Sequence, residues 1–212
     1  METAVRLVLL ILSAAMLGLI GGLGSALTLS GLLSDRIRLG EIVEIDGWRS
    51  NWSIGTEAVD PYTKAWIARY GLFALRREEA VYFFTTLDAA SQPLNDACVY
   101  ALDLDEQPGS WWSVTVYDGE GYLPKNADGR LSFDATKATG LESRRVVLSA
   151  EMPDAGAEMD EDAAYWVSTR NAGAFDVTLR VYQPTPFAIE NPAQAFVLPQ
   201  VERLSCAGVT PS

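Results

Sequence analysis

The amino-terminal part of the chain is a long apolar run. Residues 7–34 contain no charged side chain, and a helix needs about 20 apolar residues to cross the hydrocarbon core of a bilayer. A cleaved signal peptide is the alternative, but its apolar stretch is typically about 7–15 residues long, and Gly24-Ser25-Ala26 is a poor cleavage site. The pattern therefore predicts a retained single-pass anchor over residues 1–34, which contacts the lipid bilayer through residues 7–34.

The charges beside this anchor leave its orientation open. Arg6 and the amino terminus precede the apolar run, while Arg36 and Arg38 follow it, so the lysine and arginine count does not favour a cytoplasmic amino terminus. A short tail before a first apolar segment nevertheless resembles an uncleaved export signal. We expect the domain that follows the anchor to lie outside the cytoplasm.

A polar segment and then a helix start follow the anchor. Residues 35–59 are mixed and polar, with three glycines, and are interpreted as a connector to a domain over residues 60–212. Asp60-Pro61 is typical of a helix start, because an acidic N-cap precedes a proline in the first turn, and Gly71 is typical of a helix end. One short helix is therefore predicted at the start of the domain.

From Ala80 onward, apolar and polar residues alternate with the period of a β-strand. Turn residues such as Gln107-Pro108-Gly109 and Asp118-Gly119 separate these segments. The predicted strands cover residues 81–86, 97–104, 111–118, 145–149, 164–168 and 175–182. Short strands without regular helices between them favour an antiparallel sandwich or roll, so the predicted fold class is mainly β.

Alternation divides the side chains of strands 111–118 and 175–182 between a core face and an outer face. The predicted core residues are Trp112, Val114, Val116, Val177, Leu179 and Val181. The outer residues are aromatic, hydroxyl-bearing or cationic, and they are Trp111, Ser113, Thr115, Tyr117, Thr178, Arg180 and Tyr182. Such a face could stack against a polar ring-bearing ligand and, if the strands are neighbours, offer an arginine fork to a carboxylate. A neighbouring loop or a partner chain could equally cover it.

Composition excludes several classes of function. The chain has 28 acidic and 16 basic residues and a formal net charge of -12, so nucleic acid is a poor partner. There is no histidine, which excludes Ser-His-Asp and Cys-His catalysis and histidine-ligated metal sites within this chain. Asp103, Asp105 and Glu106 could bind calcium or act as paired acids, but three acids at a strand end are more often a solvated turn. The acidic cluster at 158–162 lacks the ligand spacing of a calcium loop and is interpreted as an exposed loop. No cofactor and no metal are predicted.

The two cysteines, Cys98 and Cys206, are too few for a disulfide framework or a four-thiolate metal site. In an oxidising compartment they could form one bridge that joins the carboxyl-terminal tail to the sheet. The alternative is that Cys98 is a small buried apolar residue and Cys206 is a free thiol. The sequence leaves both possibilities open.

Several strings of the domain resemble the domain-of-unknown-function family 1214. They are Asp60-Pro61-Tyr62, Glu79-Ala80-Val81-Tyr82-Phe83, Trp112-Ser113-Val114-Thr115-Val116-Tyr117-Asp118 and Leu179-Arg180-Val181-Tyr182-Gln183-Pro184, with Asn126 between them. The resemblance implies a jelly-roll-like β-sandwich and brings no established reaction and no catalytic residues. Long members of the family commonly carry a preceding domain of family 1254, for which this chain has no room. Ala89-Ala90-Ser91 stand where a glycine is expected, so the tip of that hairpin differs.

Two functions follow as hypotheses. The first is a non-catalytic binding or assembly protein of the bacterial cell envelope, which pairs with a separate membrane protein of family 1254. The expected location is the inner membrane, with a periplasmic domain and with Trp111, Ser113, Thr115, Tyr117, Asn126, Arg180 and Tyr182 facing a ligand or partner. The second is a carbohydrate-active or other hydrolase, which needs two carboxylates about 5–10 Å apart beside an aromatic cleft. We favour the first, because the acids fall in turns and loops.

Overall fold

The computed structural model describes residues 2–30, 40–56, 59–70, 75–141, 144–153 and 164–207. The chain divides into two compact units, Met1–Glu41 with Thr56–Ala74 and Ile42–Gly55 with Leu75–Ser212. The first contains two helices, and the second contains all of the β-strands described below. The predicted acidic loop at 158–162 and part of the predicted anchor, residues 31–34, lie outside the described residues.

Helix α1, Glu2–Leu29, contains 28 residues, and it is long and apolar enough to cross a membrane. At 1.5 Å per residue its length is about 42 Å, which exceeds the hydrocarbon core of a typical bilayer. Its charged side chains, Glu2 and Arg6, pair with each other near its amino-terminal end. Length and composition suit either a membrane anchor or an export signal, and retention as an anchor stays a prediction.

Helix α2, Pro61–Tyr70, begins where the sequence predicts, and the predicted end at Gly71 lies outside the described residues. The Asp60 carboxylate accepts hydrogen bonds from the backbone N–H groups of Tyr62 and Thr63, at 2.9 and 3.0 Å. These N–H groups have no partner within the helix, so the acid acts as the predicted N-cap.

The larger sheet of the second unit has six strands. They are β1 (Ile42–Ile45), β2 (Trp48–Asn51), β3 (Ala80–Thr85), β5 (Trp111–Asp118), β6 (Ser132–Asp134) and β9 (Phe175–Tyr182). Their order across the sheet is β1-β2-β3-β9-β5-β6, and every neighbouring pair is antiparallel. The two long strands β5 and β9 therefore lie side by side near the middle of the sheet.

The smaller sheet has four strands, which are β4 (Cys98–Asp103), β7 (Arg145–Ser149), β8 (Ala164–Ser168) and β10 (Glu202–Cys206). Their order is β10-β4-β7-β8. Strands β7 and β8 are parallel, which departs from the predicted all-antiparallel arrangement, and the other two pairs are antiparallel. Three short helices accompany the strands: α3 (Ala135–Ala138), α4 (Pro186–Glu190) and α5 (Pro192–Ala195).

The core lies between the inner faces of the two sheets. Trp112, Val114 and Val116 of β5 are buried there, as the alternation predicts. The inner residues of β9 and the smaller sheet complete it, namely Val177, Leu179, Val181, Tyr100, Leu102, Val146 and Leu148. The mainly β sandwich is therefore confirmed, and its jelly-roll connectivity stays a prediction.

Residues 35–59, interpreted from sequence as a connector, contain the two strands β1 and β2. The hairpin turn between them places Asp46 and Gly47 at φ values of 49° and 83°, the two positive angles that a type I′ turn requires. Trp48 follows the turn with 1% exposure, and its indole N–H donates to the Pro199 carbonyl at 2.8 Å. Within this interval, residues 42–55 belong to the unit that contains the sandwich, and Trp48 contributes to its core.

Cys98 and Cys206 form a disulfide bond. They lie directly opposite each other on the antiparallel strands β4 and β10. On the same strand, Arg203 reaches the almost fully buried Asp88 carboxylate at 2.7 Å. The edge strand β10 is therefore attached to the smaller sheet and to the loop after β3 by a covalent bond and an ion pair.

Candidate functional site

The candidate site is the outer face of the larger sheet, where β3, β9 and β5 lie next to each other. In the register of these strands, Arg180 is opposite Ser113 on one side and Tyr82 on the other. Trp111 is opposite Tyr182. The outer faces of β5 and β9 are therefore adjacent, which the sequence alone does not show. We call Tyr82, Trp111, Tyr117, Arg180 and Tyr182 the Arg180 face.

Arg180 is half-buried at the centre of this face. Its Nη2 group donates a hydrogen bond to the Tyr117 hydroxyl. Its Cζ atom lies 5.2 Å from the Tyr117 ring centroid and 5.9 Å from that of Tyr82, within the range of cation–π attraction. Two aromatic rings therefore hold the guanidinium group in position.

No carboxylate pairs with Arg180 in the part of the chain that the structure describes. The acid that shares this face, Asp176, is opposite Tyr117 and accepts a hydrogen bond from the Thr178 hydroxyl at 2.8 Å. Arginine in proteins is charged at all physiological pH values. Among the described residues, Arg180 therefore has no carboxylate in a salt bridge with it.

Trp111 and Tyr182 form the second part of the face. Their ring centroids are 5.4 Å apart in an edge-to-face arrangement, which is a favoured geometry for aromatic pairs. The Trp111 indole N–H donates to the Thr136 hydroxyl of α3 at 3.0 Å. Both rings are half-buried, so part of each is available to a ligand or partner.

Tyr82 belongs to this face but was not identified from sequence. Burial raises the pKa of Tyr82, and the charge of Arg180 lowers it by a smaller amount. The hydroxyl is therefore protonated at neutral pH and can donate a hydrogen bond. The signal that would have found it is the alternation of buried Val81 and Phe83 with Tyr82, the same pattern that identified the outer residues of β5.

Ser113 and Thr115 are not available to a ligand, which corrects their prediction as ligand-facing residues. They point to the outer face, but only 7% and 5% of their surfaces are exposed. Both lie on β5, between its neighbours β6 and β9. A short side chain on an inner strand is shielded by longer neighbours, and sequence alternation does not reveal this.

Asn126 is the other correction, because its side chain holds a loop in place. Its Nδ2 group donates to the Arg170 carbonyl at 3.1 Å, and its Oδ1 atom accepts from the Asp128 N–H at 3.1 Å. Asp128 in turn accepts from the Ser168 hydroxyl at 2.6 Å and from Arg170 Nε at 3.0 Å. The Ser168 hydrogen bond, aided by Arg170, keeps the pKa of Asp128 below its usual value. These contacts fasten the β5–β6 loop to the turn before β9.

Three acids that a hydrolase could use, Asp103, Asp118 and Asp176, do not converge beside Trp111. Asp118 accepts hydrogen bonds from the backbone of Glu120 and Tyr122 in a turn, and Asp103 pairs with Arg145 on the smaller sheet at 2.8 Å. Asp176 is six residues along β9 from the partner of Trp111, a distance of about 20 Å at strand spacing. Within the described ranges, no group of three or more acids and cysteines could hold a metal ion.

A solved structure has the same kind of fold as this chain. The VPA0106 protein from Vibrio parahaemolyticus is 21% identical, with a TM-score of 0.50 over 70% of this chain and 36% of that one. An uncharacterized protein from Burkholderia cenocepacia is 14% identical, with a TM-score of 0.42 over 61% of this chain and 31% of that one. The chain thus spans about a third of the length of each. No curated protein matches the chain in sequence.

The family comparison covers the strands that form the Arg180 face. Residues 79–186 match the family described as "Protein of unknown function (DUF1214)". This interval includes β3, β5 and β9 and extends over half of the chain. The chain therefore belongs to the DUF1214 family of proteins of unknown function.

Proposed function

We propose that this protein is a binding or assembly component of the bacterial cell envelope, anchored in the inner membrane by α1. Its sandwich lies in the periplasm and binds a companion membrane protein of the 1254 family through the Arg180 face. The observation that carries the proposal is the half-buried Arg180, which lies between the rings of Tyr82 and Tyr117 and pairs with no carboxylate of the described residues.

The composition of the face supports a role in binding. Tyrosine, tryptophan and arginine are the residues most enriched among those that dominate the binding energy of protein interfaces. Here four aromatic rings and one arginine occupy adjacent positions on three neighbouring strands. Because the aromatic pair and the guanidinium contacts already restrict these side chains, binding costs less conformational entropy.

The length of the Vibrio protein and the disulfide bond of this chain support the partner and the location. The Vibrio protein is almost three times as long as the region it shares with this chain, so most of it lies outside that region. We propose that the companion protein supplies the corresponding part as a separate chain. The Cys98–Cys206 bond suits an oxidising compartment such as the periplasm.

Co-purification from native membranes tests this proposal. Full-length tagged protein is extracted in mild detergent, and the accompanying proteins are identified by mass spectrometry for the wild type, Arg180→Gln and Arg144→Gln. Arg144 is the matched control, because it pairs with Glu106 in a surface ion pair that contributes little to stability.

We expect a stoichiometric membrane protein of the 1254 family with the wild type and the control, and its loss from Arg180→Gln. A wild-type protein that purifies alone would contradict the pairing. A companion that remains bound to Arg180→Gln would contradict the assignment of the surface.

A further inference from the structure

We infer that the Arg180 face is a carboxylate site, which takes a single carboxylate attached to a planar or apolar group. The inference rests on the proposed function in that it names the chemical group which the binding surface recognises. It depends on three features of the face: unused hydrogen-bond donors, a single positive charge, and an aromatic pair at a fixed distance from it.

Unused donors are the first feature. A guanidinium group has five N–H donors in a planar fork, and in the described part of the chain Arg180 uses Nη2 for the Tyr117 hydroxyl. Its other nitrogen atoms have no acceptor among the described residues. A carboxylate satisfies such a fork with two parallel hydrogen bonds.

The Tyr82 hydroxyl group is a further hydrogen-bond donor near Arg180. The Tyr82 phenol is opposite Arg180 in the sheet register. Burial raises the pKa of Tyr82 from a value that already leaves the hydroxyl protonated at neutral pH. The hydroxyl can therefore donate a hydrogen bond to a ligand beside the guanidinium group. A ligand that brings two acceptor oxygen atoms and a negative charge complements this arrangement.

The charge of the site selects a carboxylate over a phosphate. Arg180 is the single cation of the Arg180 face, and the chain as a whole carries a formal net charge of -12. A phosphate group near pH 7 carries up to two negative charges and is usually held by several donors and cations. The single positive charge of one guanidinium group neutralises one carboxylate. It would leave one of the two negative charges of a phosphate without a partner.

The aromatic pair indicates what the carboxylate is attached to. Trp111 and Tyr182 lie at one position of the sheet register, two residues along β9 from Arg180. That spacing corresponds to about 7 Å, so a ring or apolar group that packs on the pair can place an attached carboxylate at the guanidinium group. Benzoate has this combination of ring and carboxylate and is a suitable probe.

The test compares benzoate with benzamide, which has the same ring and similar shape but no charge. Full-length protein in lipid nanodiscs is titrated with each compound by calorimetry, for the wild type, Arg180→Lys, Arg180→Gln and Arg144→Gln. Inorganic phosphate is titrated in parallel. Circular dichroism confirms that each variant retains the β-sandwich, and Arg180→Lys provides a conservative change if Arg180→Gln fails to fold.

We expect the wild type and Arg144→Gln to bind benzoate about tenfold or more tightly than benzamide, as hydrogen bonds to a charged group predict. Arg180→Gln removes this preference, and Arg180→Lys reduces it because an ammonium group lacks the fork. Equal binding of the two compounds, no binding of benzoate, tighter binding of phosphate, or a preference that survives in Arg180→Gln would overturn the inference. Because this titration needs no partner protein, its failure is distinguishable from a failure of the proposed pairing.

Discussion

Replacing Trp112 by alanine is expected to lower the free energy of unfolding of the sandwich by about 3–5 kcal/mol, the usual cost of truncating a large core residue. Trp112 has 4% exposure, belongs to the core between the sheets and lies 5.6 Å from the Phe133 ring in an edge-to-face contact. The substitution leaves a cavity in the core between the two sheets, and the surrounding strands can close it only in part. Urea unfolding of the full-length protein in mild detergent, followed by circular dichroism, measures the loss.

Trp111→Ala is the matched control, since it removes the same side chain one position along the same strand. Trp111 is half-buried on the outer face, where it contacts Tyr182 and the Thr136 hydroxyl. Loss of one hydrogen bond and one aromatic contact should cost about 1–2 kcal/mol. Equal destabilisation by the two substitutions would contradict the division of β5 into a core face and a binding face.

Removing the disulfide bond is expected to cost about 4–5 kcal/mol. The bond joins residues 108 positions apart, and in the chain-entropy account a loop of this length restricts the unfolded chain by about that amount. The double variant Cys98→Ala/Cys206→Ala, compared with the wild type by urea unfolding without reductant, measures the contribution. The wild type with reductant should unfold at the same urea concentration as the double variant.

An ion pair attaches β10 to the rest of the sandwich in addition to the disulfide bond. Arg203 and Asp88, at 2.7 Å, still attach β10 after the bond is removed, so the variant should remain folded and lose stability. A loss below about 1 kcal/mol would show that the unfolded chain is already restricted by residual structure. It would contradict the expected contribution of the disulfide bond to the stability of the sandwich.

The long central strands were predictable because their alternation is uninterrupted. The predicted segments 111–118 and 175–182 match β5 and β9 at both ends, and their inner residues are the predicted core. A strand of eight residues shows its period several times. Sequence periodicity is therefore a strong signal for these two strands.

The short and edge strands were missed for the opposite reason. Strands β1, β2 and β6 have only three or four residues, and β10 is mostly exposed, so each shows little or no apolar period. The Asp46-Gly47 turn was a usable signal for the β1–β2 hairpin, because this dipeptide favours the positive φ angles that it adopts. The parallel pairing of β7 and β8 has no signature in alternation, since both senses of pairing share the same period.

The candidate site was predictable in its residues but not in its assembly. Trp111, Tyr117, Arg180 and Tyr182 were identified from the outer faces of two strands, yet their contact depends on the order β3-β9-β5. That order arises from pairing between strands far apart in sequence. The burial of Ser113 and Thr115 and the use of Asn126 within a loop depend in the same way on neighbours that the sequence does not place.

The most direct test of the central claim is photo-crosslinking from the Arg180 face in native membranes. A benzophenone amino acid replaces Thr178, which is half-exposed next to Arg180 on β9, and the control position is Ser205, which is exposed on β10 of the smaller sheet. The account predicts a crosslink to a membrane protein of the 1254 family from position 178 and none from position 205. A crosslink to that protein from position 205 alone, or from neither position, would contradict the assignment of the larger sheet's outer face as the binding surface.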